Sequence, residues 1–261
     1  MFDYHMHTGV SYDGNSKPED MLRAALNAGL KEICFTDHID YDPLEPDHKI
    51  RFETEDYNKA YDHLQAEGIK IRRGFEFGML EDNKATFAQD VQRRHFDFIL
   101  GSVHFIDGLD PYFDPFWQGR TMDQAELNYF EDLLACVRVH DDFDVLGHLT
   151  YISKAWANPT NRPIRFDAYR ELTDEIMRLL VSKGKGMEIN TSGKDSVGVY
   201  LPSVEYLKRF KELGGEIITV GSDAHNPERV GQYCMDACRL ACDIFGHVCT
   251  FENRQPIFHK L

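Results

Sequence analysis

The chain has 261 residues, 42% of them hydrophobic, with 44 acidic residues against 29 basic ones and a formal charge of −15. Such a balance argues against a nucleic-acid polymer as partner, which would need a basic surface to displace counterions. Small phosphorylated substrates stay open, because bound divalent cations invert the local charge.

In chain order, short apolar runs rich in Ile, Val and Phe predict strands near residues 2–6, 32–36, 70–77, 98–103, 144–149, 186–190 and 216–221. A weaker run at 247–251 is a candidate eighth strand. Helices are predicted between them. The first, "KPEDMLRAALNAGL", carries Pro18 in its opening turn and Gly29 near its end, the usual asymmetry of a helix. The others fall near 54–67, 86–94, 122–139, 166–182, 202–213 and 227–245. Strands and helices alternating in this way predict an α/β protein with a parallel, TIM-like barrel, closed or nearly closed. No repeat or linker marks a boundary, so residues 1–261 are expected to form a single domain. No apolar run is long enough to span a bilayer, and the N-terminus lacks the signature of a signal peptide. The expectation is a cytoplasmic protein with no membrane contact.

Two segments stand outside this rhythm. "FIDGLDPYFDPFWQGR", residues 105–120, follows a strand end and reads either as an insertion packing over the barrel rim or as a lid. As a lid it would bring Asp110, Tyr112 or Trp117 to a substrate. Cys234, Cys238 and Cys242 recur every fourth residue, one stripe on a helix. Without a CxxC knuckle they read as a reduced, buried packing face.

Histidines and carboxylates collect where strands end. "DYHMHTGVSYDG" gives His5, His7 and, beyond them, Asp13; "TDH" gives Asp37 and His38; "RRGFEFG" gives Glu76. "GSVH" ends in His104, "LGH" in His148, and "GSDAH" supplies Asp223 and His225. In a barrel all C-terminal strand ends meet on one face, so residues far apart in sequence converge. Burying so many polar groups without compensation is costly, and metal ions would pair them. The donors are too many for one ion and suit two or three divalent ions, with N/O chemistry fitting zinc, manganese or iron. His48, His63, His95, His140, His247 and His259 lack this context and are read as ordinary histidines.

Taken in order, "HMHTGVSYDG", "TDH", the glycine-flanked Glu76, "GSVH", "GH" and "SDAH" resemble the polymerase and histidinol phosphatase (PHP) superfamily. The length and the stretch "YFEDLLACVRVHDDFDVLGHLTYISK" look like its stand-alone histidinol-phosphate phosphatases. The resemblance implies a distorted seven-stranded (β/α)7 barrel with a trinuclear site. It implies His5, His7, Glu76 and Asp223 around the first ion. Glu76, bridging, would join His104 and His148 at the second, and Asp13, His38 and His225 would hold the third. Where that subfamily is expected to grip phosphate with arginines this chain offers Lys154 and Lys194, with Arg162 a further candidate, and Thr150 stands where an acid is usual.

The function implied is hydrolysis of L-histidinol phosphate in histidine biosynthesis. A water bridging two ions would attack phosphorus in line with the leaving alcohol. Glu76, Asp223, His38 and His225 are the catalytic candidates. Because His38 and His225 must be neutral to ligate, activity should fall at low pH. Asp37 is expected to orient a ligand histidine. The alternatives are a related phosphoesterase acting on another small monoester or a nucleotide, an amidohydrolase-type hydrolase, and a non-catalytic metal-binding module. An amidohydrolase would want a lysine at the fourth strand, where this chain has His104.

Overall fold

The computed structural model describes residues 1–44, 50–92, 95–155 and 157–260; His48 and the end of the helix expected at 86–94 lie outside them. In chain order the strands are β1 (Phe2–Asp3), β2 (Glu32–Phe35), β3 (His38–Ile39), β4 (Lys70–Gly78) and β5 (Phe98–Ser102). They continue as β6 (Val145–Leu146), β7 (Gly186–Asn190), β8 (Ile218–Gly221), β9 (Val248–Glu252) and β10 (Gln255–His259). Parallel pairing runs β1-β2-β4-β5-β6-β7-β8, with β3 beside β4. The ring closes between its first and last members. The Tyr4 N–H donates to the Val220 carbonyl at 2.8 Å, the Asp223 N–H donates to the His5 carbonyl at 2.8 Å, and Met6 bridges Ala224 in parallel. The expected seven-stranded barrel is therefore what forms.

Strands β2, β5, β7 and β8 are buried along their whole length, which is why they read as apolar runs rather than alternating ones. Helices pack outside with amphipathic stripes. Met21, Leu22 and Ala25 face inward from Pro18–Asn27. Met122–Val139 starts where expected because Thr121 and Gln124 form a reciprocal capping box. Cys234, Ala237, Cys238, Ala241 and Phe245 form the buried face of Cys234–Phe245, Cys242 lies at its edge, and all six cysteines are free.

Three expectations change. The helix expected at 227–245 is broken: Pro227–Arg229 is a 3-10 turn, and Gly231 and Tyr233 take left-handed φ of 70° and 60° before the true helix begins at Cys234. The run at 247–251 does not join the barrel; β9 pairs antiparallel with β10 as a separate hairpin. The helix expected at 54–67 stops at Tyr61. No helix among the described residues is long and apolar enough to cross a membrane.

Candidate metal centre

The C-terminal ends of the ring strands surround a cavity of about 460 Å³ lined by Asp13, His38, Glu76, His104, His148, Asp223 and His225, among others. Each side chain arrives by strand geometry. His5 and His7 lie two apart in extended chain and point the same way. Glu76 stands near the end of β4, the longest strand, which carries it to the centre of the cluster. Asp223 follows β8 with φ of 57°, a left-handed conformation fixed by its N–H bond to His5 and by the Ser222 N–H bond to Asp3 at 2.8 Å. Gly221 is required beside it: a Cβ there would stand 2.3 Å from the His5 Cβ and 2.3 Å from Glu188 Oε1.

The donor atoms meet in three groups. His5 Nε2 is 3.0 Å from both His7 Nε2 and Glu76 Oε2, and Asp223 Oδ1 is 3.6 Å from His5 Nε2 and 3.5 Å from His7 Nε2. Zinc–nitrogen bonds of about 2.0–2.1 Å place tetrahedral donors roughly 3.3 Å apart, so this spacing fits one ion. The other Glu76 oxygen, Oε1, is 2.9 Å from His148 Nε2 and 3.2 Å from His104 Nε2. The two oxygens of one carboxylate thus face two groups, as a bridging ligand would. In the third group Asp13 Oδ2 lies 2.9 Å from His225 Nε2 and 3.4 Å from His38 Nε2. The His7 ring stacks between those of His38 and His225, with centroids 4.3 and 4.2 Å away, and its donor atom is also within reach of this group.

Electrostatics favours ionised carboxylates here. Burial alone would raise Glu76, but His5, His104 and His38 hold it well below the usual carboxylate range. Burial opposes ionisation of Asp223 too, and Lys154 and His5 overcome it. Asp13 is likewise held low against burial by hydrogen bonds from His225 and His38. His38 is pushed up to about 9 by Asp40, Glu76 and Asp13 despite burial. These are the marks of a site that attracts cations.

Sequence reading passed over two buried carboxylates behind the ligands. Asp40 lies 3.0 Å from His104 Nδ1 and 3.5 Å from His38 Nδ1. Glu188 lies 2.7 Å from His5 Nδ1 and accepts the His148 N–H at 2.8 Å. Their signal was present: a lone charge inside the apolar run "GMEIN", and an acid two residues beyond His38. Asp37, expected to orient a ligand histidine, touches no ring directly; it accepts bonds from Thr8, Ser11 and Tyr61, and the Ser11 hydroxyl in turn lies 3.4 Å from His7 Nδ1.

The expected phosphate contacts separate. Lys154 lines the cavity, pairing with Asp223 and bonding Ser192 Oγ at 2.9 Å. Lys194 instead lies over the Tyr200 ring, 5.0 Å from its centroid, and Arg162 pairs with Glu126 at 3.3 Å; neither lines the cavity. Thr150 is buried in the turn before Tyr151–Lys154. From segment 105–120, Asp110, Tyr112 and Phe113 reach the cavity wall, whereas Trp117 bonds the Pro111 carbonyl at 2.7 Å and braces the segment. The histidines set aside bond elsewhere: His63 to Glu19, His95 to Asn253, His140 to the Leu80 carbonyl, His247 to the Glu216 carbonyl and His259 to Thr250.

The chain is similar to known proteins over most or all of its length. A probable histidinol-phosphatase of Clostridium acetobutylicum is 31% identical over 100% of this chain and 97% of its own. The histidinol-phosphatase of Lactococcus lactis is 33% identical over 87% of this chain and 85% of its own. A crystal structure of the Lactococcus lactis histidinol phosphate phosphatase, complexed with zinc, L-histidinol and phosphate, superposes with a TM-score of 0.87 at 30% identity, covering 98% of both chains. The PHP domain model matches residues 3–192. On these matches, and with strand-end donors arranged as described, the chain belongs to the PHP domain family.

Proposed function

We propose that this chain is a histidinol-phosphatase that hydrolyses L-histidinol phosphate to L-histidinol and phosphate at a site of two or three divalent ions. The observation that carries the reading is a single cavity with the clustered donors at its base and both Lys154 and Asp110 in its wall. Bound divalent ions would neutralise the phosphate dianion and acidify the attacking water. Glu76 and Asp223 hold their charge toward those ions, and His38 and His225 complete the set with Asp13. Lys154 offers an ammonium to a phosphate oxygen as a point charge.

The leaving alcohol carries an amino group and an imidazole. Asp110 supplies the opposite charge: burial raises its carboxyl, the bond from the Tyr112 N–H only partly offsets this, and a cationic group beside it would be welcome. Tyr12, Tyr112 and Phe113 present aromatic surface around the same opening, 54%, 46% and 59% exposed. In this reading residues 1–261 act as one phosphoesterase unit in cytoplasmic histidine synthesis.

Phosphate release from histidinol phosphate, a neutral-alcohol monoester and a mononucleotide, each with and without chelator, tests the proposal. The expected result is chelator-sensitive turnover strongest on histidinol phosphate, with Asp110→Asn lowering kcat/KM roughly tenfold on that substrate and little on the neutral monoester. Equal or better turnover of the nucleotide would overturn the substrate, and chelator-insensitive turnover would overturn the metal chemistry.

A further inference from the structure

We infer that Asp37 is a positioning residue for Asp13, acting through the loop that carries it and so setting the occupancy of one ion among the three. The inference rests on reading Asp13, His38 and His225 as the ligands of a separate ion.

The loop is Thr8 to Gly14. It folds back on itself: the Ser11 N–H donates to the Thr8 carbonyl at 3.1 Å, the Gly14 N–H to the Ser11 carbonyl at 3.4 Å, and the Gly9 N–H to the Ser16 carbonyl at 2.7 Å. Its ends press together so closely that a Cβ on Gly14 would stand 1.9 Å from the Thr8 carbonyl oxygen. Any larger residue there must open the turn. Asp13, next to this contact, is the most exposed of its carboxylate group, with a side chain 32% accessible beside 5% for Asp223 and 1% for Glu76. Its carboxylate contacts His225 Nε2 at 2.9 Å and His38 Nε2 at 3.4 Å, both proposed ligands themselves.

What fixes the loop is the Asp37 carboxylate, fully buried at the end of the second strand segment. Oδ1 accepts the Thr8 N–H at 2.7 Å and the Ser11 hydroxyl at 3.0 Å; Oδ2 accepts the Tyr61 hydroxyl, and the Thr8 hydroxyl lies 3.2 and 3.3 Å from the two oxygens. Tyr61 ends the helix Thr54–Tyr61, so the carboxylate joins loop, strand end and helix. These donors are all neutral. A carboxylate that accepts only neutral donors in a dry site is expensive to bury, and a neutral side chain would serve packing alone. Ser11 completes the link: its hydroxyl also accepts the His38 N–H at 2.9 Å. One side chain therefore spaces the Asp13 loop from His38, its partner in the third group.

The first group touches this hub only through His7, whose Nδ1 lies 3.4 Å from Ser11 Oγ, and has backbone anchors of its own. The backbone around His5 and His7 is held by Tyr4 to Val220, His7 to Ala224 and Asp223 to His5, each at 2.8 Å. Weakening Asp37 should therefore loosen the third ion most, because the first group keeps these backbone anchors.

The test is metal content of the purified full chain after gel filtration in metal-depleted buffer, with far-UV circular dichroism as the folding control. Wild type is expected to hold about three equivalents and Asp13→Asn about two. Asp37→Asn and the milder Ser11→Ala should each lose about one, with the last ion bound roughly 10–100-fold more weakly. Added manganese should restore it in Ser11→Ala, whose ligands are intact, and not in Asp13→Asn. Full metal content in Asp13→Asn would overturn the assignment of the third ion itself. If Asp13→Asn loses an equivalent while Ser11→Ala binds all three with wild-type affinity, the positioning role is wrong. Loss of every ion from Asp37→Asn with Ser11→Ala unchanged would likewise overturn it. Should Asp37→Asn not fold, Ser11→Ala decides alone.

Discussion

Glu188 grips His5 from behind, its Oε1 2.7 Å from His5 Nδ1, so that Nε2 is the nitrogen turned toward His7, Glu76 and Asp223. The bond makes Nδ1 the proton-bearing nitrogen and frees the Nε2 lone pair for an ion. The second Glu188 oxygen holds the His148 N–H and Asn190, which ties the first donor group to the second.

Replacing Glu188 should therefore weaken metal binding without touching a ligand. Glu188→Gln is expected to lower affinity roughly 10–100-fold, the usual cost of losing a carboxylate behind a ligating histidine. Competition against a chromogenic chelator measures it. Affinity within about twofold of wild type would show that the carboxylate does not orient His5.

Much of this centre could be read from sequence because barrel geometry converts strand ends into neighbours. His104 and His148 needed only "GSVH" and "LGH" at the ends of apolar runs, and the strand at 186–190 matches β7 to the residue. Glu188 escaped notice because nothing local shows which face of a fully buried strand points inward. Asp40 escaped because β3, Asp40's neighbour, is a two-residue strand too short to leave a periodic pattern. The broken helix before Cys234 was hidden for another reason: Tyr233 takes a left-handed φ of 60°, which its residue type does not announce. Lys194 looked equivalent to Lys154, yet side-chain direction separates them, one over Tyr200 and the other in the cavity.

That separation is itself testable. Lys154→Ala removes the ammonium in the cavity wall and is expected to lower kcat/KM on histidinol phosphate roughly 10–100-fold, in line with a lost charged hydrogen bond. Lys154→Arg should recover part of the loss, because a guanidinium also donates to phosphate. Lys194→Ala and Arg162→Ala should stay within about threefold of wild type, since their side chains face Tyr200 and Glu126. Steady-state kinetics on the four variants checks the set, and a large loss in Lys194→Ala with none in Lys154→Ala would reverse the assignment.

Outside the centre, pH acts on an ion pair between two barrel helices. Asp174, on Arg170–Ser182, accepts two bonds from Arg209 on Val204–Glu212, at 2.8 and 2.6 Å. Those bonds hold the Asp174 carboxyl below its ordinary value. A depressed folded-state value contributes stability that is fully present above the unfolded carboxyl range, near about 4. It is lost as pH falls through the folded value. Asp174→Asn keeps the shape but cannot ionise, so at pH 7 it should lower the melting temperature by roughly 2–4 °C, a shift typical of a modest destabilisation in a chain of this length. The gap between wild type and variant should stay constant from neutral pH down to about 5, then close as the wild-type carboxylate takes up its proton. Paired thermal melts across that range measure it. Acid unloading of the metal centre affects both proteins alike, so a gap that persists undiminished at the lowest pH would show that the pair does not act through the Asp174 charge.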